Sequence, residues 1–348
     1  MKPTAISLFT GVGGFDLGIE SAGFKVVVAN EIDFKIATTF SKNFNTPIIV
    51  DDIKKVSSSN LRDSGGIGNR DVDLIFGGSP CQGFSMAGKR DPSDDKNFLM
   101  FEYQRIVLDI YPKFFIFENV SELLHKRNES LLNRFLSGFI DEGYRISPVR
   151  ILDASRHGVP QTRKRVFIMG YRYDQNCPQY PPESTKKYTL FDAIADIPDL
   201  SFYPQSKYQY PYMVYFGTPS EYLKEIHSVF NCSKVLDNSL RLISNARLAK
   251  HDLKTVKLFQ SYSQGFRESH GRRIKPFLHQ PCNTVLTKQR LIHPLYNRFL
   301  SPRECARIQS FPDSFVFTNN LEDAQKEVGN AVPPLLGYQL AKQILEVL

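Results

Sequence analysis

Residues 8–18 read LFTGVGGFDLG, and the reading of this turn decides the fold. An apolar run at 5–9 leads straight into glycines at 11, 13 and 14, where a tight turn and close backbone approach are permitted. A helical pattern follows, so the segment reads strand, glycine turn, helix. The same rhythm continues outward over the first 170 residues. Strands are expected at 5–9, 25–29, 48–50, 72–76, 114–117 and 165–169, with helical patterns between them, notably at 100–110 and 123–139. Short apolar strands alternating with helices predict an α/β fold with a mostly parallel, twisted sheet covered on both faces.

The glycine pattern also narrows the ligand. A dinucleotide fingerprint places glycine at its first, third and sixth positions, whereas the sixth here is Asp16. A carboxylate facing a pyrophosphate is repulsive, which disfavours a nicotinamide cofactor. Asp16 suits a cationic group instead, such as the amino end of a methionine moiety. The second strand runs into Asn30 and Glu31, and a carboxylate at that place is suited to two ribose hydroxyls. Phe9 and Ile32 can sandwich a purine, and Asp52, beside Ile53 after the third strand, can accept from an adenine amino group. Each also has an ordinary explanation, as helix caps or core. Their order on successive strand ends favours an adenosyl ligand without pyrophosphate, S-adenosyl-L-methionine.

GGSPCQGFS (77–85) follows the fourth strand and puts Cys81 where open α/β sheets bind ligands. A cysteine is often merely buried, but a reactive one needs a stabilised thiolate and a polarising partner for its electrophile. Glu118, in IFEN (116–119), belongs to the same sheet edge. QTRKRVF (161–167) offers Gln161, Arg163 and Arg165 on one face if extended. Singly, these are an acid and a basic run; together with a thiol they make an active site.

Composition bounds the remainder. A chain of 348 residues, 23% of them charged, can bury a large core and splits into two domains. No apolar run is long enough to span a bilayer, and the N-terminus reads as a strand rather than a signal peptide. Five cysteines, widely spaced and without a CxxC pair, argue against disulfides or a thiolate zinc site and for a reducing cytoplasm. Residues 241–300 carry twelve Lys or Arg against two acids, net +10, more than the +8 of the whole chain. Such concentration fits a nucleic-acid surface. Texture changes after Gly170, and an amphipathic tail (338–348) is expected to pack back on the α/β domain.

Taken in order, SLFTGVGGFDLG, NEID, GGSPCQGFS, FENV, QTRKRVF, RECARIQSFP and GNAVP closely resemble the cytosine-C5 DNA methyltransferases of bacterial restriction–modification systems. The resemblance covers 5–170 and 300–348. It implies a Rossmann-like methyltransferase domain over 1–170 and 300–348, and a linker and target-recognition domain of irregular or β character over 171–299. Cys81 is then expected to add to C6 of a flipped cytosine, with Glu118 at N3 and Arg163 and Arg165 holding the base carbonyl and orienting Glu118. The methyl donor is S-adenosyl-L-methionine, leaving S-adenosyl-L-homocysteine, with no metal. Pro80 and Asn330, the latter in VGNAVP, join the cofactor set.

The same resemblance makes 83–97 a loop that closes over the base, with Gln82, Ser85, Lys89 and Arg90 toward DNA. In the target block, QSYSQGFRESHGRRIKPF (260–277) places Arg267, Arg272 and Arg273 as candidates for base or phosphate contact. PCNTVLTK (281–288) resembles the family's threonine turn. Double-stranded DNA is the expected partner of a monomeric, prokaryotic, cytoplasmic and nucleoid-associated enzyme. No membrane is involved, and a cognate restriction endonuclease is a functional counterpart rather than a bound one. Two rivals remain. A tRNA-cytosine methyltransferase usually carries Cys-Phe-Thr in its target region, and 171–300 has none. A DNA-binding module without activity would not need Cys81, Glu118, Arg163 and Arg165 intact.

Overall fold

Five strands lie parallel in the order β3-β2-β1-β4-β5, and the strand order reverses between β1 and β4, the switch point at which parallel α/β sheets place a ligand crevice at the carboxyl ends of their strands. They are β1 (Thr4–Leu8), β2 (Lys25–Glu31), β3 (Ile48–Val50), β4 (Leu74–Gly77) and β5 (Phe114–Val120). The computed structural model describes residues 2–80, 98–202, 212–231, 240–269 and 272–348. These divide into two units, one of Met1–Asp153, Lys164–Pro182 and Gly337–Leu348, the other of Ala154–Arg163 and Glu183–Leu336.

In the first unit the crossovers are α1 (Gly14–Ala22), α2 (Phe34–Asn43), α3 (Ser58–Ser64) and α4 (Leu99–Ile110), with α5 (Glu129–Asp141) following β5. The strands read as continuous apolar runs because both faces are covered. Phe114, Phe115, Ile116 and Phe117 are all fully buried. Phe115 stacks on Phe139 of α5 at 4.2 Å, and Phe117 lies 4.9 Å from Phe135. Burial of each such side chain is worth about 1.5–3 kcal/mol. The chain tail belongs here too: Gly337 abuts Phe15 of α1 so closely that a Cβ would fall 2.8 Å from its ring.

All six expected strands form, but the last, β8 (Lys164–Arg172), runs antiparallel to β5. Two further strands, β6 (Tyr144–Ile146) and β7 (Arg150–Asp153), pair with β8 and were not expected. Each is short and has a single buried position, so neither leaves a hydrophobic alternation to read. The helix expected over 123–139 breaks at its start. Residues Ser121–Leu124 and Lys126–Asn128 are 3-10 turns, and α5 begins at Glu129.

The second unit combines α6 (Leu190–Ile194), α7 (Glu221–Val229), α8 (Leu253–Ser261), α9 (Pro302–Ile308) and α10 (Leu321–Asn330) with the antiparallel pair β9 (Tyr212–Phe216) and β10 (Leu240–Ser244). α11 (Pro334–Leu345) begins at its end. PRECARI forms α9, capped by a Ser301–Glu304 box, and all seven of its residues are buried. Its charges are compensated internally: Arg307 holds Asp313 and Asp196, and Glu304 is held by Arg298 through two 2.9 Å bonds. Ala154–Arg163 and the segment from Pro302 to Leu336 belong to this second unit. Among the described residues no helix is long and apolar enough to cross a membrane.

Candidate active site

The crevice floor is built from β1 and the turn after it. Phe9, Gly11 and Gly13 all have positive φ, at 54°, 58° and 90°. For Phe9 that conformation costs of order 1–3 kcal/mol, a strain concentrated at functional turns. Gly13 has no space for a side chain, since a Cβ there would collide with Phe44, whereas Gly11 faces open space.

Glu31 closes this turn from the end of β2. Its Oε2 accepts from Gly11 N at 3.0 Å, and its Oε1 accepts from Ile32 N and Asp33 N. Burial pushes its carboxyl above the usual carboxylate range, opposed by those backbone N–H groups. Three of the roughly four acceptor positions of a carboxylate are occupied, which leaves room for a hydroxyl donor. Ile32 is 66% exposed beside it, an apolar surface without a cover. Asp52 caps the 3-10 turn Ile53–Lys55 through one oxygen, donated to by Lys54 N. The space beside Gly11, the available carboxylate of Glu31 and the apolar flank of Ile32 fit an adenosyl group.

Asp16 does not take the expected place. It is fully buried in α1 and accepts from Thr10 Oγ1 at 2.7 Å rather than facing the crevice. Desolvation raises its pKa to about 7, against the lowering effect of the Thr10 and Ser7 hydroxyls. The amino end of a ligand cannot reach a carboxylate enclosed on every side.

At the end of β4 two glycines, Gly77 and Gly78, make room. A side chain at Gly77 would collide with Leu8 O, and one at Gly78 would fall 2.5 Å from Glu118 Oε2. Glu118 and Arg165 lie diagonally across the β5–β8 pair, where Val120 faces Arg165. Arg165 Nε meets Glu118 Oε1 at 3.1 Å. Asn119, 1% exposed, donates to Ser79 O at 3.3 Å and so fixes the chain two residues before Cys81. Pro80 is exposed. Cys81, Gln82, Ser85, Lys89 and Arg90 lie outside the described residues.

Sequence reasoning missed two asparagines here. Asn119 has the role just given, and Asn30 donates to Ile49 O and Asp51 O, fixing the end of β3. Each is the neighbour of a candidate acid at a strand end, and an amide beside a functional carboxylate in a buried strand is the signal that was available.

The second unit contains the other predicted residues. Arg163 is 2% exposed, and its terminal nitrogens donate to Val285 O, Gly329 O and Ala331 O at 3.0–3.2 Å. It is a buried tie between the PCNTV and VGNAV segments, which corrects its expected place on a base carbonyl. Gln161 is also buried and bonds Val285 N and Gln309. Thr284 donates to Thr162 O at 2.6 Å. Asn330 is exposed at the end of α10. Arg267 and Arg272 are exposed, whereas Arg273 lies 3.6 Å from Glu268.

The C-5 cytosine-specific DNA methylase family matches residues 4–346. The Type II methyltransferase M.XorII of Xanthomonas oryzae is 34% identical over 365 residues, covering 100% of this chain and 85% of that protein. The Type II methyltransferase M.FnuDI of Fusobacterium nucleatum is 36% identical over 356 residues, covering 99% and 94%. Among solved structures, a candidate DNA modification methyltransferase encoded within an E. coli prophage superposes with a TM-score of 0.84 at 26% identity, covering 99% of both chains.

Proposed function

This chain belongs to the C-5 cytosine-specific DNA methylase family, and we propose that its crevice holds S-adenosyl-L-methionine while Cys81 and Glu118 act on a cytosine rotated out of duplex DNA. The observation that supports this most is the convergence at one sheet edge. Gly78 makes space for Glu118, Arg165 orients it, and Asn119 fixes the segment entering Cys81.

We assign Phe9, Gly11, Gly13, Gly14, Glu31, Ile32, Asp52 and Ile53 to the adenosyl group and Pro80 to the methionine moiety, and carry Asn330 over from the VGNAVP motif. Bound there, the cofactor supplies an electrophilic methyl group. Carbon 5 of cytosine is a weak nucleophile until C6 is attacked. Cys81 adds to C6 as a thiolate, forming an S–C bond and pushing electron density into the ring. Glu118 binds N3 and absorbs that charge as a proton donor or hydrogen-bond partner, with Arg165 fixing its carboxylate. After methylation the C5 proton leaves to a base and the Cys81–C6 bond breaks, which restores the ring. Extrusion of the cytosine costs about a few kcal/mol. Gln82, Ser85, Lys89 and Arg90 are placed by this reading on the DNA side of the loop.

The Type II methyltransferase names of the relatives support a protective role opposite a restriction endonuclease, and we assign that role to a monomer in the cytoplasm. The test is transfer of labelled methyl from S-adenosyl-L-methionine to mixed-sequence duplex DNA and, separately, to tRNA. Label at C5 of DNA cytosine that disappears in Cys81→Ala supports the reading. Label in tRNA alone overturns it.

A further inference from the structure

The basic block divides by strand parity. Residues 265–268 pair with 273–275: Gly265 N donates to Lys275 O, Lys275 N to Phe266 O, and Glu268 N to Arg273 O. Arg267 stands opposite Ile274, and Ile274 in turn pairs in parallel with Leu291. The segment of Arg267 is bridged to that of Ile274, which is bridged in turn to that of Leu291, and in such extended pairs side chains alternate between two faces.

One face is committed to the protein. Phe266 stacks on Tyr262 at 3.7 Å. Arg273 lies 5.7 Å over the Phe259 ring of α8 and pairs with Glu268 across the strands at 3.6 Å. Lys275 is 6% exposed and donates through Nζ to Phe259 O at 3.2 Å. Of these two cations Lys275 is buried and Arg273, partly exposed, is engaged by Phe259 and Glu268.

Arg267, Arg272 and Ile274 share the opposite parity. Ile274 lines a small cleft with Thr284, Leu286 and Lys288, so this face borders the PCNTVLTK segment. Arg267, Arg272 and Lys288 are exposed. The face thus presents two guanidiniums on a short antiparallel pair, a shape that the major groove admits, with the Lys288 ammonium on the adjoining segment.

The geometry points to Arg267 and Arg272 as the side chains that read the target sequence, Lys288 as a phosphate contact, and Arg273 and Lys275 as supports that do not touch DNA. Exposed guanidiniums on a ribbon recognise guanine through O6 and N7, so the target contains at least one guanine read by this pair. The inference rests on the DNA-methylating function proposed above.

Bisulfite sequencing of DNA methylated by the full-length protein defines the site, and the variants R267A, R272A, K288A and R273A are then compared on it. R267A and R272A are each expected to relax a guanine position, with discrimination against the substituted site falling about 10- to 100-fold. K288A is expected to weaken methylation at all sites alike and to reduce the dependence on salt. R273A, checked by thermal melting, is expected to keep its site choice. Unchanged site choice in both R267A and R272A, or relaxed choice in a folded R273A, would overturn the assignment while methylation itself persists. Absence of DNA methylation by the unaltered protein would overturn the underlying function as well.

Discussion

Gly78 lies so close to Glu118 that a Cβ on it would fall 2.5 Å from the carboxylate Oε2 and 2.8 Å from the Glu118 carbonyl oxygen. The carboxylate can swing away, but the carbonyl is part of β5 and cannot. Gly78→Ala is therefore expected to displace Glu118 from Arg165 and to lower single-turnover methyl transfer about 100-fold or more, within the range of lost acid–base catalysis. Cofactor affinity, measured by calorimetry, is expected to stay within a factor of three, as roughly half a kcal/mol or less is involved. Full activity in this variant would show that Glu118 need not occupy its observed position.

Arg163 and Arg165 differ in role although both belong to one motif. Arg163→Lys retains the charge but loses the fork that reaches three carbonyls. A stability loss of about 2–3 kcal/mol is expected in urea unfolding, since bonds from charged donors to buried acceptors are the costly ones to break. Arg165→Lys is expected to affect turnover first and stability little. Reversed outcomes would exchange the two assignments.

Glu31 holds the glycine turn and is the acceptor proposed for ribose hydroxyls. Glu31→Ala removes both, so the Kd for S-adenosyl-L-homocysteine is expected to rise about 10- to 100-fold, corresponding to one charged hydrogen bond. Circular dichroism monitors folding in the same sample. An unaltered Kd in folded protein would remove Glu31 from the cofactor site.

The buried carboxyl of Asp16 makes stability depend on pH. Its folded pKa of about 7 lies above the ordinary carboxylate value, so the folded state binds this proton more tightly than the unfolded chain. The associated stabilisation is complete below the unfolded pKa of about 4 and declines as pH rises toward 7, by at most about 4 kcal/mol. Asp16→Asn is expected to remove this decline, so the melting temperature of the variant relative to the unaltered protein rises between pH 4 and pH 8. A difference independent of pH would show that Asp16 is ionised when folded.

The strands that carry the site were legible because local composition marks them. FFIF is apolar at every position, as a strand covered on both faces must be, and glycine at 11, 13, 77 and 78 punctuates the turns. β6 and β7 were not legible, since three and four residues with one buried position each carry no periodic signal. Asp16 was misplaced for a related reason. Its position after a glycine turn matches that of a ligand-facing residue, but whether a helix residue faces ligand or core depends on the neighbours that close over it.

By itself the sequence determined the α/β class, the order of functional groups along successive strand ends, and the concentration of positive charge in one block. These follow from periodicity, backbone permission and residue type, all local properties. Only the tertiary structure decided which charges meet. Arg165 reaches Glu118 because β8 runs antiparallel to β5 and sets them on a diagonal. Arg163, two positions earlier, ends among the carbonyls of residues more than 120 positions away. Ion pairs and buried forks form through chain closure over long separations, and no local pattern encodes the partner.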